Sequence, residues 1–225
     1  MNWLSRLFAG QEADNRALTR EQERLLDAWS HRPHVATGRS HYRSRYAVVD
    51  VETTGLNPAT DRPVAIGAVA VVDGLIDFNE TFLVRLADAP SSDSPGSSLS
   101  KADALIAFLD FVDKAPLVAY HADFVGGMIA RSVADTLGVE LRPTWLDLAW
   151  VLSDLFRDID AQGRLDAWLT QFNIESIQRH QALSDAYATA KLLQIVIARA
   201  ARKGFDTPDS LFELERARRH MHQNH

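Results

Sequence analysis

The sequence predicts a mixed α/β fold, a single sheet with helices on both faces, built as one domain of 225 residues. Three observations lead there. Three apolar runs stand close together early in the chain, Tyr46–Val51, Pro63–Val72 and Leu75–Arg85, and Asp73-Gly74 between the last two suits a two-residue turn of the primed type. Beyond residue 100, runs of strand length alternate with stretches of helical periodicity. Finally, with 46% hydrophobic residues, a chain of this size buries about 70% of its unfolded surface, which is enough for one ordinary core.

Each element has its own signal. Residues 15–30 read as an amphipathic helix with the capping box Thr19-Arg20-Glu21-Gln22 and apolar Leu18, Leu25, Leu26 and Trp29 on one side. His31–Arg45 is a polar connector. The hairpin of the second and third runs makes the start of the sheet antiparallel. Residues 88–98, rich in Ser, Pro and Asp, form a loop, after which Ser100 caps a helix to about Val112. Leu117–Tyr120 is a fourth strand, and Phe124–Leu137 a helix with Asp123 as its N-cap and Gly138 closing it. Helices are expected at about 146–157, 164–171 and 182–203, with a last one opening at Thr207-Pro208, where Pro takes the first helical position. The boundaries expected are an N-terminal helical extension over 1–44, the α/β domain over 45–203 and a C-terminal helical segment over 204–225.

Composition narrows the chemistry. There is no cysteine, so disulfides, thiolate metal sites and cysteine nucleophiles are excluded and a bound metal must take oxygen or imidazole ligands. Mg²⁺ or Mn²⁺ suits that inventory. A net charge of −6 argues against coating nucleic acid through a broad basic surface, though not against gripping a few nucleotides. Two local basic groups, Arg39/His41/Arg43/Arg45 and Arg216/Arg218/Arg219, read as solvated flanks. The first ten residues are too short and interrupted for a signal segment, and no apolar stretch approaches membrane-spanning length; a cytoplasmic protein without membrane contact is expected.

The most informative stretch is Val48-Val49-Asp50-Val51-Glu52-Thr53-Thr54-Gly55-Leu56-Asn57-Pro58. Strand alternation points Asp50 and Glu52 to one face, where two carboxylates repel each other unless a cation offsets them. Near the other end, His180-Gln181-Ala182-Leu183-Ser184-Asp185 places an imidazole five residues before a carboxylate that falls in the first turn of a long helix. Together these motifs resemble the DEDDh family of 3′→5′ exonucleases, the group of the proofreading epsilon subunit of DNA polymerase III and of ribonuclease T, over roughly residues 45–200. Ile66-Gly67-Ala68-Val69, Leu146-Asp147-Leu148 and Leu165-Asp166-Ala167-Trp168-Leu169 are further matches.

The resemblance implies a ribonuclease H-like sheet and two-metal hydrolysis of phosphodiesters at the 3′ ends of single-stranded DNA or RNA. It implies Asp50, Glu52 and Asp185 as metal ligands, with Mg²⁺ or Mn²⁺ as cofactor, and His180 as general base beside them. Thr53, Leu56 and Phe124 would meet the terminal nucleotide.

The chain departs from the family pattern in two places. Where the family's second motif carries an aspartate, Tyr120-His121-Ala122-Asp123-Phe124-Val125 puts Val125 in phase with Ile129 and Val133, extending an apolar stripe and weakening the site for a second metal. Asp123 cannot replace it, since two helical residues turn the side chain by about 200°, whereas His121 offers a candidate polar group. The family's usual His-Gly-Ile stretch is absent from 88–98. Three functions stay open at this point: an exonuclease, impaired at its second metal; a degenerate exonuclease fold that binds nucleic-acid ends or a protein partner; or a regulatory scaffold docking through its terminal helices. Neither a polymerase partner nor a homodimer is specified.

Overall fold

The computed structural model describes residues 18–86, 99–159, 161, 163–175 and 181–223. Their centre is a five-stranded sheet in the order β3-β2-β1-β4-β5, formed by β1 (Arg45–Thr53), β2 (Pro63–Val72), β3 (Leu75–Arg85), β4 (Leu117–Ala119) and β5 (Trp145–Asp147). β1 to β3 pair antiparallel, and β4 and β5 continue the sheet parallel to β1. The hairpin turns as expected: Asp73 and Gly74 have φ of 52° and 82°, the positive pair a type I′ turn needs.

Helices cover both faces. Beneath one lie Ala47, Val49, Ile66 and Ala68, packed against α1 (Arg20–Ser30), α2 (Lys101–Val112) and α3 (Ala122–Leu137). Beneath the other lie Tyr46, Val48, Val69 and Val71, packed against α4 (Leu148–Leu155), α5 (Leu165–Gln171), α6 (Ala182–Ala201) and α7 (Pro208–Gln223). β2, flanked by β1 and β3 and covered on both sides, is accordingly apolar along almost its whole length, while the edge strand β3 alternates and leaves Leu75, Phe78 and Leu83 exposed.

Local chemistry sets most ends. Thr19 and Gln22 form the reciprocal capping box of α1, Ser100 accepts from the Asp103 amide at the start of α2, and Gly138 closes α3 at φ 67°. α1 begins at Arg20, and residues 15–17 of the helix expected there lie outside the described residues, as does the loop 88–98.

Three expectations are corrected. Trp145–Asp147, whose last two residues read as helix from sequence, pair with β4 as a fifth strand, and α4 starts only at Leu148. The N-cap of α3 is His121 in the left-handed region (φ 61°), and Asp123 sits in the first turn. The basic flanks are not simply solvated. His41 is buried between the Tyr46 hydroxyl (2.6 Å) and the Phe205 carbonyl (2.9 Å), and Arg45 bonds Glu80 at 2.9 Å. Among the described residues no helix is long and apolar enough to cross a membrane.

Candidate active site

β1 and β4 run parallel side by side, but the chain leaves β1 toward β2 and returns to β4 on the other side. The carboxyl ends of these strands therefore open a crevice of the kind in which α/β sheets place ligands. Here the crevice is a cleft of about 860 Å³. Its walls include Asp50, Glu52, Thr53 and Leu56 from β1 and the turn beyond, Phe124 and Val125 from α3, and Asp185 from α6.

Two strand residues and one helix residue thus meet although 130 positions separate Glu52 from Ala182. The join is direct: the Ala182 amide at the head of α6 donates to Glu52 Oε1 at 3.1 Å. Gln181, the N-cap residue, gives α6 no side-chain cap bond, and Glu52 takes the Ala182 amide of that helix end instead. Gly67 makes the approach possible. A Cβ there would lie 2.3 Å from the Ala182 carbonyl carbon and from the Leu183 nitrogen. Asp185, one turn into α6, is 6% exposed.

The turn after β1 is braced internally. Asp61 accepts from Thr54 Oγ1 (3.1 Å) and from the Asn57 amide (2.8 Å), and a side chain on Gly55 would collide with that carboxylate. Arg131 of α3 ties the turn down through the Pro58 carbonyl. Leu56 is held at the rim, 84% exposed. The Thr53 hydroxyl is turned inward onto the Gly55 carbonyl at 2.7 Å.

The opposite wall rests on a residue to which sequence gave no role. Asp147, 3% exposed, accepts from the amides of His121 (3.1 Å), Ala122 (3.0 Å) and Ala149 (3.0 Å). It thereby fixes the left-handed turn that starts α3. Burial raises its carboxyl above the ordinary value, and the Ala149 and Ala122 amides together with the nearby charges of Arg219 and His121 oppose that shift. Glu215 of α7, also raised by burial, accepts from the Asp147 amide (3.1 Å) and from Arg219 (2.7 Å), and Arg219 reaches on to Asp123. The signal for Asp147 is a carboxylate inside the apolar run Trp145-Leu146-Asp147-Leu148.

Val125 is 2% exposed and packs with Ala122, Ile129 and Val133, so the wall offers no oxygen at that point. His121 lines the cleft and is exposed. His180 lies outside the described residues. Gly163, Arg164, Leu165 and Asp166, around the start of α5, complete the cleft, and the sequence reading named none of them as site residues. Among the described residues no three His, Asp or Glu side chains are grouped to ligate one ion as they stand. The donor set nevertheless fits a hard cation: Asp50, Glu52 and Asp185 present carboxylates to one cleft, and Glu52 Oε2 makes no hydrogen bond among the described residues.

The chain is similar to known proteins in sequence and in fold. The family described as exonuclease matches residues 47–193. The PolC-type DNA polymerase III of Bacillus subtilis is 31% identical over 186 residues, which is 75% of this chain. That of Caldanaerobacter subterraneus is 30% identical over 171 residues, 70% of this chain. The chain spans 12% of the length of either polymerase. Among solved structures, the zinc-bound complex of E. coli exonuclease I with single-stranded DNA is similar, with a TM-score of 0.58 at 18% identity over 76% of this chain and 42% of that one. Cell-death related nuclease 4 superposes with a TM-score of 0.53 at 13% identity, covering 71% of this chain and 66% of its own. At such identities the likeness is one of fold, the ribonuclease H-like sheet.

Proposed function

The chain belongs to the exonuclease family, and on that premise we propose that it is a metal-dependent 3′→5′ exonuclease acting on the ends of single-stranded nucleic acid. The observation that carries the reading is the meeting of Asp50, Glu52 and Asp185 in one cleft, below an exposed Leu56. Water adds to the terminal phosphorus, the bond from phosphorus to the penultimate 3′ oxygen breaks, and that oxygen receives a proton as the nucleoside 5′-monophosphate departs.

Asp50, Glu52 and Asp185 would hold Mg²⁺ or Mn²⁺, which when bound activates the attacking water and stabilises charge on the leaving oxygen. His180, five residues before Asp185, takes the proton of that water in this reading. Glu52 presents Oε2 while Oε1 keeps the head of α6 in place. Leu56 and Phe124 give apolar contact to the terminal base, and the Thr53 side chain stands beside it on the same wall.

A second reading, a degenerate fold that binds nucleic-acid ends or a protein partner without efficient cleavage, is favoured by one observation, the buried Val125. Release of nucleotides from a 3′-labelled single strand with Mn²⁺ tests both. Activity in the native protein that Asp50→Ala abolishes supports the exonuclease. Silence in the native protein with activity in Val125→Asp supports the second reading.

A further inference from the structure

The residues that line the cleft carry four carboxylates, on Asp50, Glu52, Asp166 and Asp185, and one lysine or arginine, Arg164. A phosphodiester brought among those carboxylates is repelled unless positive charge offsets them. Where a further aspartate would help to hold a second cation, the wall offers the buried Val125.

Arg164 is placed to offset that deficit. Its backbone is anchored: the amide donates to the Ala161 carbonyl at 2.9 Å, and the carbonyl accepts from Trp168 at 3.4 Å, while Trp168 itself is buried in the core. Gly163, at φ 67°, turns the chain just ahead of it. The side chain is exposed, lines the cleft, and makes no ion pair among the described residues. Other arginines have carboxylate partners, Arg32 with Asp110 and Asp113, Arg45 with Glu80, and Arg219 with Asp123, Asp147 and Glu215. A guanidinium stays charged at every working pH and offers a fork of donors that matches two phosphate oxygens at once.

We propose that Arg164 is a catalytic residue that binds the phosphate of the terminal nucleotide, supplying from the head of α5 positive charge that the Val125 wall has no carboxylate to recruit as metal. This rests on the exonuclease reading and deepens it. The cleft then works with carboxylate-held cation on the β1/α6 side and a fixed guanidinium from α5. The same charge binds product, so Arg164 also distinguishes a nucleotide from a nucleoside.

Two measurements test it. First, dTMP and thymidine are titrated calorimetrically with Mn²⁺ into the native protein and Arg164→Ala. The native protein is expected to prefer dTMP, and Arg164→Ala to lose most of that preference, with Arg164→Lys between them because an ammonium cannot make the bidentate contact. Second, kcat is measured on a 3′-labelled single strand for Arg164→Ala, Val125→Asp and their combination. Arg164→Ala is expected to lower kcat by about a hundredfold in the native background. It is expected to cost under about tenfold when Val125→Asp is present, because the two groups then serve one need and their effects do not add. An unchanged dTMP preference in Arg164→Ala overturns the assignment while the exonuclease reading survives on activity that Asp50→Ala abolishes. Silence of the native protein with an active Val125→Asp also overturns it, since Arg164 would then have failed as substitute. Silence of native and Val125→Asp alike overturns both.

Discussion

Gly67 stands opposite Asp50 in the β1–β2 ladder, and the first residues of α6 occupy the space where its side chain would be. The strand that carries Asp50 and Glu52 and the helix that carries Asp185 are therefore brought together by the absence of one methyl group. The 3.1 Å bond from the Ala182 amide to Glu52 is formed across this contact.

Gly67→Ala is expected to fail on both counts. Its Cβ would meet backbone atoms of Ala182 and Leu183, which no rotamer change can move. Overpacking of this kind costs about 2 to 3 kcal/mol, and the displacement carries Asp185 away from Asp50. Thermal unfolding should show the loss of stability, and nucleotide release should fall with it. A native melting temperature would show the contact to be soft.

Val125→Asp places a carboxylate among Ala122, Ile129 and Val133. With metal chelated, the unpaired buried charge should destabilise the fold by on the order of 3 kcal/mol. Mn²⁺ should then raise the melting temperature of the variant more than that of the native protein, because a cation bound only by the folded state stabilises it. Equal Mn²⁺ shifts in the two proteins would mean that the side chain at 125 does not face the cation.

Leu56→Ala removes a side chain that is 84% exposed, so stability should change by less than about 0.5 kcal/mol. Affinity for single-stranded oligonucleotide should nevertheless fall, since an exposed leucine on a braced turn offers a base an apolar contact. Fluorescence anisotropy with a labelled oligonucleotide checks this, and unchanged binding would remove Leu56 from the substrate surface.

Burial raises the carboxyls of Asp147 and Glu215 above 3.8 and 4.5, respectively. The folded state therefore binds their protons more tightly than the unfolded chain does. Their contribution to stability is full below those unfolded-state values and is lost as pH rises through the raised native ones. Glu215→Gln removes one of the two titrations, so the free energy of urea unfolding should decline less steeply upward from pH 4.5 in the variant than in the native protein. Identical slopes would show that Glu215 titrates alike in both states.

What the sequence disclosed is what local chemistry decides. Asp73-Gly74, the Thr19 and Ser100 caps, Pro208 and Gly138 each act within a few residues of themselves, and the structure keeps every one of them. Alternation along β1 likewise placed Asp50 and Glu52 together in the cleft. What stayed hidden depends on distant partners. β5 is three residues long and is a strand only because β4 lies beside it. His121 displaces Asp123 as N-cap because Asp147, 26 residues on, receives its amide. Arg164 enters the cleft because Trp168 of α5 is sunk in the core, a packing result that no spacing in the chain announces.

The bond between Glu52 and the Ala182 amide makes one side chain both a hinge pin of the architecture and a candidate participant in the reaction. Mutating Glu52 would remove the acceptor that holds the head of α6 together with a candidate metal ligand, and an inert product would not reveal which loss silenced it. Glu52 is therefore a poor choice for a dead-enzyme control, and inactivity after its replacement is interpretable only beside a measure of whether the head of α6 has loosened.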